Sequence, residues 1–184
     1  MKIVLTYLTL LLYRQSQLIP VGSRLGLSVN DKISVSDLLY GLLMVSGNDA
    51  AVALAEFICN AINNFSILMN QKATELGLTS SHFVTPHGLD QDEHYTTAFE
   101  LAKIVDYALN NKIFAKIVKT SNYTIKINNR SKNLHNTNEL LGNLEGIYGV
   151  KTGFTNGANR CLVTACKRDD MDIICVVLGA DTKK

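Results

Sequence analysis

The sequence has no tryptophan, only two prolines and only four cysteines, and its charges almost cancel. Two prolines and the lack of a low-complexity tract argue against a linker-rich or fibrous protein. The cysteines show no C-x-x-C spacing, which argues against a disulfide scaffold or a zinc ribbon. A net charge of +2 does not indicate a nucleic-acid partner. These absences leave an ordinary globular protein.

Apolar residues are plentiful by comparison. The chain has 184 residues, of which 47% are hydrophobic and 18% charged. That is enough for one domain, or most of one, with a sizeable core. Three cysteines, Cys161, Cys166 and Cys175, lie in apolar, strand-like runs. We expect these thiols to act as small hydrophobes.

The two ends of the sequence differ from its middle. Residues 1–12 are mostly apolar, but this run is too short to cross a bilayer as a helix. It has the composition of a signal-peptide core, but no A-x-A cleavage site follows it, and a buried amphipathic or core helix fits at least as well. The other end, residues 181–184, comes directly after an apolar strand. We therefore expect a domain that is incomplete at both termini.

The first half of the chain has helical periodicity. The predicted helices cover residues 38–43, 50–58, 65–76 and 98–109. Ser36 and Asp37 are expected to cap the first helix. Thr97 and Glu100 have the spacing of a capping box at the start of the last one.

The second half changes to the periodicity of strands. Residues 123–127 alternate between apolar and polar side chains, as in a half-buried strand. Residues 160–166 and 172–178 are short apolar runs joined by a charged turn at 167–170, which predicts a hairpin. Helices first and strands later favour an α+β fold. A crevice between the two parts is the expected place for a site.

Two tripeptides stand out as candidates for chemistry. Ser46-Gly47-Asn48 lies between two predicted helices, and Lys151-Thr152-Gly153 follows a short apolar strand. Such S-x-N and K-T-G motifs accompany S-x-x-K in penicillin-binding proteins and class A β-lactamases. A structural alternative is a helix N-cap for the first motif and a strand-end turn for the second.

The chemistry of acyl transfer would use both tripeptides. Ser46 can relay protons while Asn48 holds a substrate amide. Lys151 supplies a positive charge near a substrate carboxylate, and Thr152 can hydrogen-bond the same group. Gly153 lets an extended substrate lie against the strand as an added strand.

Beyond the tripeptides, the chain resembles the serine-type D-alanyl-D-alanine carboxypeptidases, low-molecular-mass penicillin-binding proteins of peptidase family S11. Three segments carry the likeness, residues 37–56, 70–102 and 149–184. The resemblance implies an α+β, β-lactamase/transpeptidase-like fold with a helical subdomain and an antiparallel sheet flanked by helices. It also implies that residues 1–184 are part of the catalytic domain, without the family's C-terminal stalk domain.

The resemblance assigns roles by position. Ser46 and Asn48 match the family's S-x-N, and Lys151, Thr152 and Gly153 match its substrate-binding K-T-G.

The start of the chain, Met1-Lys2-Ile3-Val4, looks like the end of the S-x-x-K motif, in which the serine is the nucleophile and the lysine its proton acceptor. Lys2 would then be the general base, and the serine would lie just upstream of Met1. No S-x-x-K occurs within the 184 residues. The resemblance therefore implies that the chain as given is inactive.

The expected activity is removal of the terminal D-Ala from peptidoglycan stem peptides through an acyl-serine intermediate, without a cofactor. The implied partners are stem peptides ending in D-Ala-D-Ala, with β-lactams as inhibitors of the intact family. The implied location is extracytoplasmic. One alternative is an inactive fragment or pseudoenzyme that at most binds cell-wall peptide. Another, a β-lactamase, is disfavoured by the family-specific block at residues 82–102.

The four histidines first suggest a metal site. Their spacings match no zinc pattern, and no cysteine or carboxylate cluster completes them. No metal is therefore expected. They are interpreted as hydrogen-bonded loop histidines, at positions His82, His87, His94 and His135.

Overall fold

A computed structural model describes residues 10–13, 21–59 and 62–181. Five helices and seven strands occur within these ranges. The helices are α1 (Val35–Val45), α2 (Asn48–Cys59), α3 (Ile62–Glu75), α4 (Ala98–Leu109) and α5 (Lys112–Val118). The strands are β1 (Leu10–Leu12), β2 (Lys32–Ser34), β3 (Asn122–Ile127), β4 (Arg130–His135), β5 (Ile147–Thr155), β6 (Asn159–Arg168) and β7 (Met171–Ala180).

The strands form two antiparallel sheets. One has the order β1-β2-β3-β4, so two short strands from the first half of the chain join a hairpin from the second half. The other has the order β5-β6-β7 and is made entirely by the C-terminal part. The α+β class predicted from the sequence is confirmed. The separate four-stranded sheet was not predicted, because each of its N-terminal strands has only three residues.

Each sheet packs against helices to form its own apolar core. The first core joins α1 and α2 to the four-stranded sheet, with Leu38, Met44 and Ile125 fully buried at its centre. The second places α4 and α5 against the three-stranded sheet through Val105, Val118 and other small apolar side chains. Helix α1 lies between the two cores, because Leu43 touches the second one.

One predicted helix cap is wrong, and the other is correct only in part. The cap of α1 is Ser34, whose hydroxyl accepts from the Asp37 N–H at 2.9 Å, and Ser36 lies inside the helix. Thr97 does cap α4 by accepting from the Glu100 N–H at 3.2 Å. The Glu100 carboxylate does not return to Thr97, because it accepts hydrogen bonds from residues 79–81.

The predicted strands are found, and three details of the structure differ from the sequence predictions. The hairpin of β6 and β7 forms, but its turn is only Asp169 and Asp170 because the strands extend through the neighbouring residues. Residues 10–12 form β1 where a helix was predicted; the rest of that predicted helix, residues 1–9, lies outside the described residues. Cys175 is exposed, since it shares the outer face of β7 with Ile173 and Val177.

No single described helix is long and apolar enough to cross a membrane. Helices α2 and α3 together have the necessary length and composition, but they meet at an angle of 86°. Eight of the 12 residues of α2 are buried.

A buried carboxylate connects the start of α2 to the preceding loop. Asp49 is 0% exposed. Its Oδ1 accepts from the N–H groups of Leu25 at 2.8 Å and Ala50 at 3.0 Å. Its Oδ2 accepts from Gly26 at 2.8 Å and Leu27 at 3.0 Å. A charge buried away from water is tolerated only when its oxygens are satisfied in this way.

We expect Asp49→Asn to lower the free energy of unfolding by about 3 kcal/mol, because an amide NH₂ would face backbone N–H groups and leave them without an acceptor. The measurement is urea unfolding at pH 7. The exposed Asp92→Asn change is the control and should cost less than about 0.5 kcal/mol. Equal midpoints for the two variants would contradict this role of Asp49.

Candidate active site

The S-x-N tripeptide forms the sharp connection between α1 and α2. Ser46 ends α1 in the left-handed conformation, with φ 57° and ψ 40°. The N–H groups of Ser46 and Gly47 both donate to the carbonyl of Gly41, which closes the helix end. The structure therefore makes Ser46 a C-cap, not the N-cap of the structural alternative. A non-glycine residue held in this region stores backbone strain.

Asn48 is the first residue of α2 and is only 5% exposed. Its side-chain nitrogen donates to the Val21 carbonyl at 2.7 Å, and its N–H donates to the Ser23 carbonyl at 2.9 Å. Within the described part of the chain, no group donates to its side-chain oxygen. The amide is thus held in a fixed orientation that leaves one acceptor for a ligand.

Glycines allow the loop before β2 to approach this connection closely. A Cβ at Gly41 would come within 2.4 Å of Leu25, and one at Gly47 within 3.2 Å of both Leu25 and the Gly41 carbonyl. Leu25 is itself only 2% exposed. Leu25 therefore packs directly against the backbone of the S-x-N connection.

The K-T-G tripeptide lies inside β5, with Lys151 opposite Val163 and Gly153 opposite Cys161. Gly153 is therefore part of a strand and not the strand-end turn of the structural alternative. In the sheet that β5 forms with β6 and β7, β5 is an edge strand. Its outer edge can pair with an extended peptide.

Lys151 is a cation in a largely dehydrated position. Its Nζ donates to the Thr152 carbonyl at 2.6 Å. Burial lowers the pKa of the Lys151 amine from 10.5 to about 8, because the charged form loses water. The amine is still mostly protonated at pH 7, and an incoming carboxylate would stabilise that charge.

Thr152 connects the strand to the end of α1. Its hydroxyl lies 2.6 Å from the hydroxyl of Thr137. The Thr137 N–H donates to the Met44 carbonyl at 3.0 Å, and the Thr137 hydroxyl reaches the same carbonyl at 3.2 Å. Met44 precedes Ser46 by two residues. One threonine therefore links the K-T-G strand to the end of α1, directly before the S-x-N tripeptide.

The fold does not itself require glycine at position 153. A Cβ there would meet only the Cβ of Cys161, at an ordinary 3.8 Å. Gly153 is exposed, and it is absent from the positive-φ residues of the described chain. A glycine without a structural reason on an edge strand fits a site that a ligand backbone approaches closely.

A loop residue, Asp90, is hydrogen-bonded to the C-terminal end of β5 and to the turn that follows it. Asp90 accepts a 2.6 Å hydrogen bond from the Thr155 hydroxyl and a 2.9 Å hydrogen bond from the Gly157 N–H. The hydrogen bond from Thr155 is the main reason why the pKa of Asp90 lies below its usual range. Asp90 belongs to the family-specific block at residues 82–102, so this block supports the K-T-G strand.

The histidines make local hydrogen bonds, as predicted, but His135 is the last residue of β4 and does not lie in a loop. The Nδ1 atom of His94 accepts from the Val84 N–H at 2.9 Å, and that of His87 accepts from the Leu89 N–H at 3.2 Å. Burial lowers the pKa of both imidazoles, which favours the neutral form that can accept. Within the described residues, no three histidine, cysteine or carboxylate side chains are grouped so as to hold a metal ion.

Two cavities lie away from the tripeptides. One, of about 730 Å³, is bounded by α4, β5 and β7 and includes Asp106, Tyr148 and Asp172. The other, of about 600 Å³, is a mainly apolar space between α1, α4 and α5. Neither is lined by a predicted site residue.

The structure thus brings the S-x-N and K-T-G motifs into one connected network, while Lys2 lies outside the described residues. Sequence reasoning missed Thr137, Asp49 and Asp90. Thr137 lies in Asn136-Thr137-Asn138, a polar segment of ordinary composition that gives no signal in a single sequence. Asp49 was visible only as a helix-opening residue. Asp90 was visible only as one acidic residue within the 82–102 block.

The architecture and its two motifs together define the DD-transpeptidase-like fold class. The structure resembles the crystal structure of the Streptomyces DD-transpeptidase with a TM-score of 0.82 at 37% identity, covering 88% of this chain and 66% of that one. It resembles the D-alanyl-D-alanine carboxypeptidase of Mycobacterium tuberculosis with a TM-score of 0.88 at 31% identity, covering 95% of this chain and 67% of that one. The expected transpeptidase-like fold is confirmed.

The particular family follows from the sequence match. The D-alanyl-D-alanine carboxypeptidase family, peptidase S11, matches residues 13–182, and the chain belongs to it. The chain is 38% identical over 164 residues to the D-alanyl-D-alanine carboxypeptidase DacF of Bacillus subtilis, and 38% identical over 170 residues to the D-alanyl-D-alanine carboxypeptidase of Streptomyces sp.. These matches cover 89% and 86% of the chain but only 42% and 58% of the relatives.

We expect Lys151→Met to stabilise the fold at pH 7 by roughly 2 kcal/mol, because it removes the cost of holding a charge in a dehydrated position. Between pH 8 and 10.5 the unfolded chain binds more protons at this residue than the folded chain does. The stability of the unchanged protein therefore rises over that window, and the advantage of the variant shrinks.

Urea unfolding at pH 7 and at pH 10 measures the effect of Lys151→Met. The exposed Lys119→Met change is the matched control and should be nearly neutral at both pH values. A destabilised Lys151→Met variant at pH 7 would contradict the desolvation argument.

Proposed function

We propose that this chain carries the substrate-binding part of a D-alanyl-D-alanine carboxypeptidase that removes the terminal D-Ala from peptidoglycan stem peptides. The observation that carries the proposal is that Thr137 ties the K-T-G strand to the end of α1, directly before S-x-N, in a chain of this family. The activity belongs to the whole protein, and the chain spans about half the length of the curated relatives it matches.

The K-T-G strand would bind the C-terminal part of the peptide. The peptide would pair with the free edge of β5, where Gly153 leaves room for its backbone. Its carboxylate would be held by the Lys151 ammonium and the Thr152 hydroxyl. A free carboxylate at the end of the substrate is what distinguishes a carboxypeptidase substrate from an internal peptide segment.

The S-x-N connection would act on the scissile bond. The side-chain oxygen of Asn48, fixed by the hydrogen bond to Val21, would accept from the substrate amide. Ser46 would pass a proton to the departing D-Ala amine. Acyl transfer also needs a serine nucleophile and its base, for which Lys2 is the candidate in this chain. β-Lactams would be inhibitors of the complete site, and an extracytoplasmic location follows from the peptidoglycan substrate.

A second candidate function is reversible binding of cell-wall peptide without hydrolysis. Such binding needs neither the nucleophile nor its base. The β5 edge and the Lys151 charge would suffice for such binding.

We expect the purified chain to bind an N-acetylated peptide ending in D-Ala-D-Ala, and Lys151→Ala to weaken that binding at least tenfold at pH 7. Because Lys151 titrates near pH 8, the affinity should fall about tenfold per pH unit above that value. Isothermal titration calorimetry from pH 7 to pH 10 measures both effects.

The matched control is Lys151→Arg, which stays charged over this range, so any binding it retains should not vary with pH. If Lys151→Ala leaves the affinity for the peptide unchanged, the proposed function is wrong.

We expect the 184-residue chain to form no covalent adduct with a fluorescent penicillin, because it contains no S-x-x-K serine. The assay is denaturing gel electrophoresis after incubation, with mass spectrometry of the intact chain. An adduct would overturn this expectation, and Ser46→Ala would then test whether Ser46 had been acylated.

A further inference from the structure

Thr137 is an exposed residue that contacts Thr152 of the K-T-G strand and the Met44 carbonyl, two residues before Ser46. It belongs to the segment between β4 and β5, which is fixed on both sides. Asn138 is 3% exposed, and its side chain donates to the Gly149 carbonyl at 2.9 Å. Asn136 donates to the Thr120 carbonyl at 3.0 Å. The two asparagines thus hold Thr137 in place without using its hydroxyl.

The two threonine hydroxyls can be arranged in two ways. The Met44 carbonyl accepts from the Thr137 N–H and has a second lone pair. In one arrangement the Thr137 hydroxyl donates across the 2.6 Å contact to the Thr152 oxygen instead of to Met44. In that arrangement the proton of Thr152 points away from Thr137 and is available to an anion.

In the opposite arrangement the Thr137 hydroxyl donates to Met44 and accepts the proton of Thr152. Thr152 would then offer only lone pairs, which repel a carboxylate. Binding a carboxylate therefore selects the first arrangement, with a chain of donors from Thr137 to Thr152 to the ligand. Each hydrogen bond in such a chain polarises the next.

We propose that Thr137 is a positioning residue for recognition of the substrate carboxylate, which sets the hydroxyl proton of Thr152 toward that carboxylate. The inference rests on the proposed function, because it assumes that a peptide carboxylate binds at Thr152. Thr137 acts through Thr152 and not on the scissile bond. Its effect is therefore specific to ligands with a free carboxylate.

The test compares two ligands, an N-acetylated peptide ending in D-Ala-D-Ala and the same peptide as its C-terminal amide, by isothermal titration calorimetry at pH 7. We expect Thr137→Val to weaken binding of the carboxylate form about five- to tenfold and to leave binding of the amide form unchanged. Thr137→Ser keeps the hydroxyl and should bind both forms as the unchanged chain does.

A double-mutant cycle tests whether the effect passes through Thr152. In the Thr152→Val background, Thr137→Val should have no further effect on the carboxylate peptide. Equal weakening of both ligands by Thr137→Val, or an undiminished effect without the Thr152 hydroxyl, would overturn the proposal. A thermal melt of each variant shows whether it is folded.

Lys151→Ala, measured in the same series, distinguishes a failure of the proposed function from a failure of the Thr137 proposal alone. If Lys151→Ala does not weaken binding of the carboxylate peptide, the proposed function fails, and the Thr137 proposal fails with it. If Lys151→Ala weakens that binding and Thr137→Val does not, only the role of Thr137 is wrong.

Discussion

The buried Asp49 carboxylate is the interaction on which the candidate site depends. It accepts from three consecutive backbone N–H groups of residues 25–27 and so fixes the loop that lies against the S-x-N connection. That loop in turn carries the Val21 and Ser23 carbonyls that hold Asn48. One anion, satisfied by the backbone, therefore determines where the amide of the site points.

The site also contains an unfavourable element that the rest of the fold must offset. The Lys151 ammonium is partly stripped of water, and its only hydrogen bond in the described chain is to the Thr152 carbonyl next to it. A charge held in this state is poorly solvated in the free protein and gains most from an anion. The strained backbone of Ser46 is a second such element. One lies in each of the two tripeptides.

Sequence patterns predicted the helices α2, α3 and α4, the β6–β7 hairpin and the α+β class, because each has a strong local periodicity. They failed where the determinant is tertiary. The cap of α1 moved to Ser34 because β2 ends there, and the three-residue strands β1 and β2 are too short to show a period. At the site, the motifs predicted the functional residues but not the residues that contact them in space. Thr137 meets Thr152 only because the chain folds back over α1, a contact that no spacing in one sequence records.

The packing of Leu25 has an evolutionary consequence. Its side chain fills the space that a Cβ at Gly41 would occupy, so positions 25 and 41 cannot vary independently. A side chain at 41 becomes acceptable only with a smaller one at 25, and that exchange would loosen the loop held by Asp49. Among related chains, positions 25 and 41 should therefore change size together. The middle residue of S-x-N is limited by the Gly41 carbonyl as well, which would lie 3.2 Å from a Cβ at 47 whatever residue stands at 25.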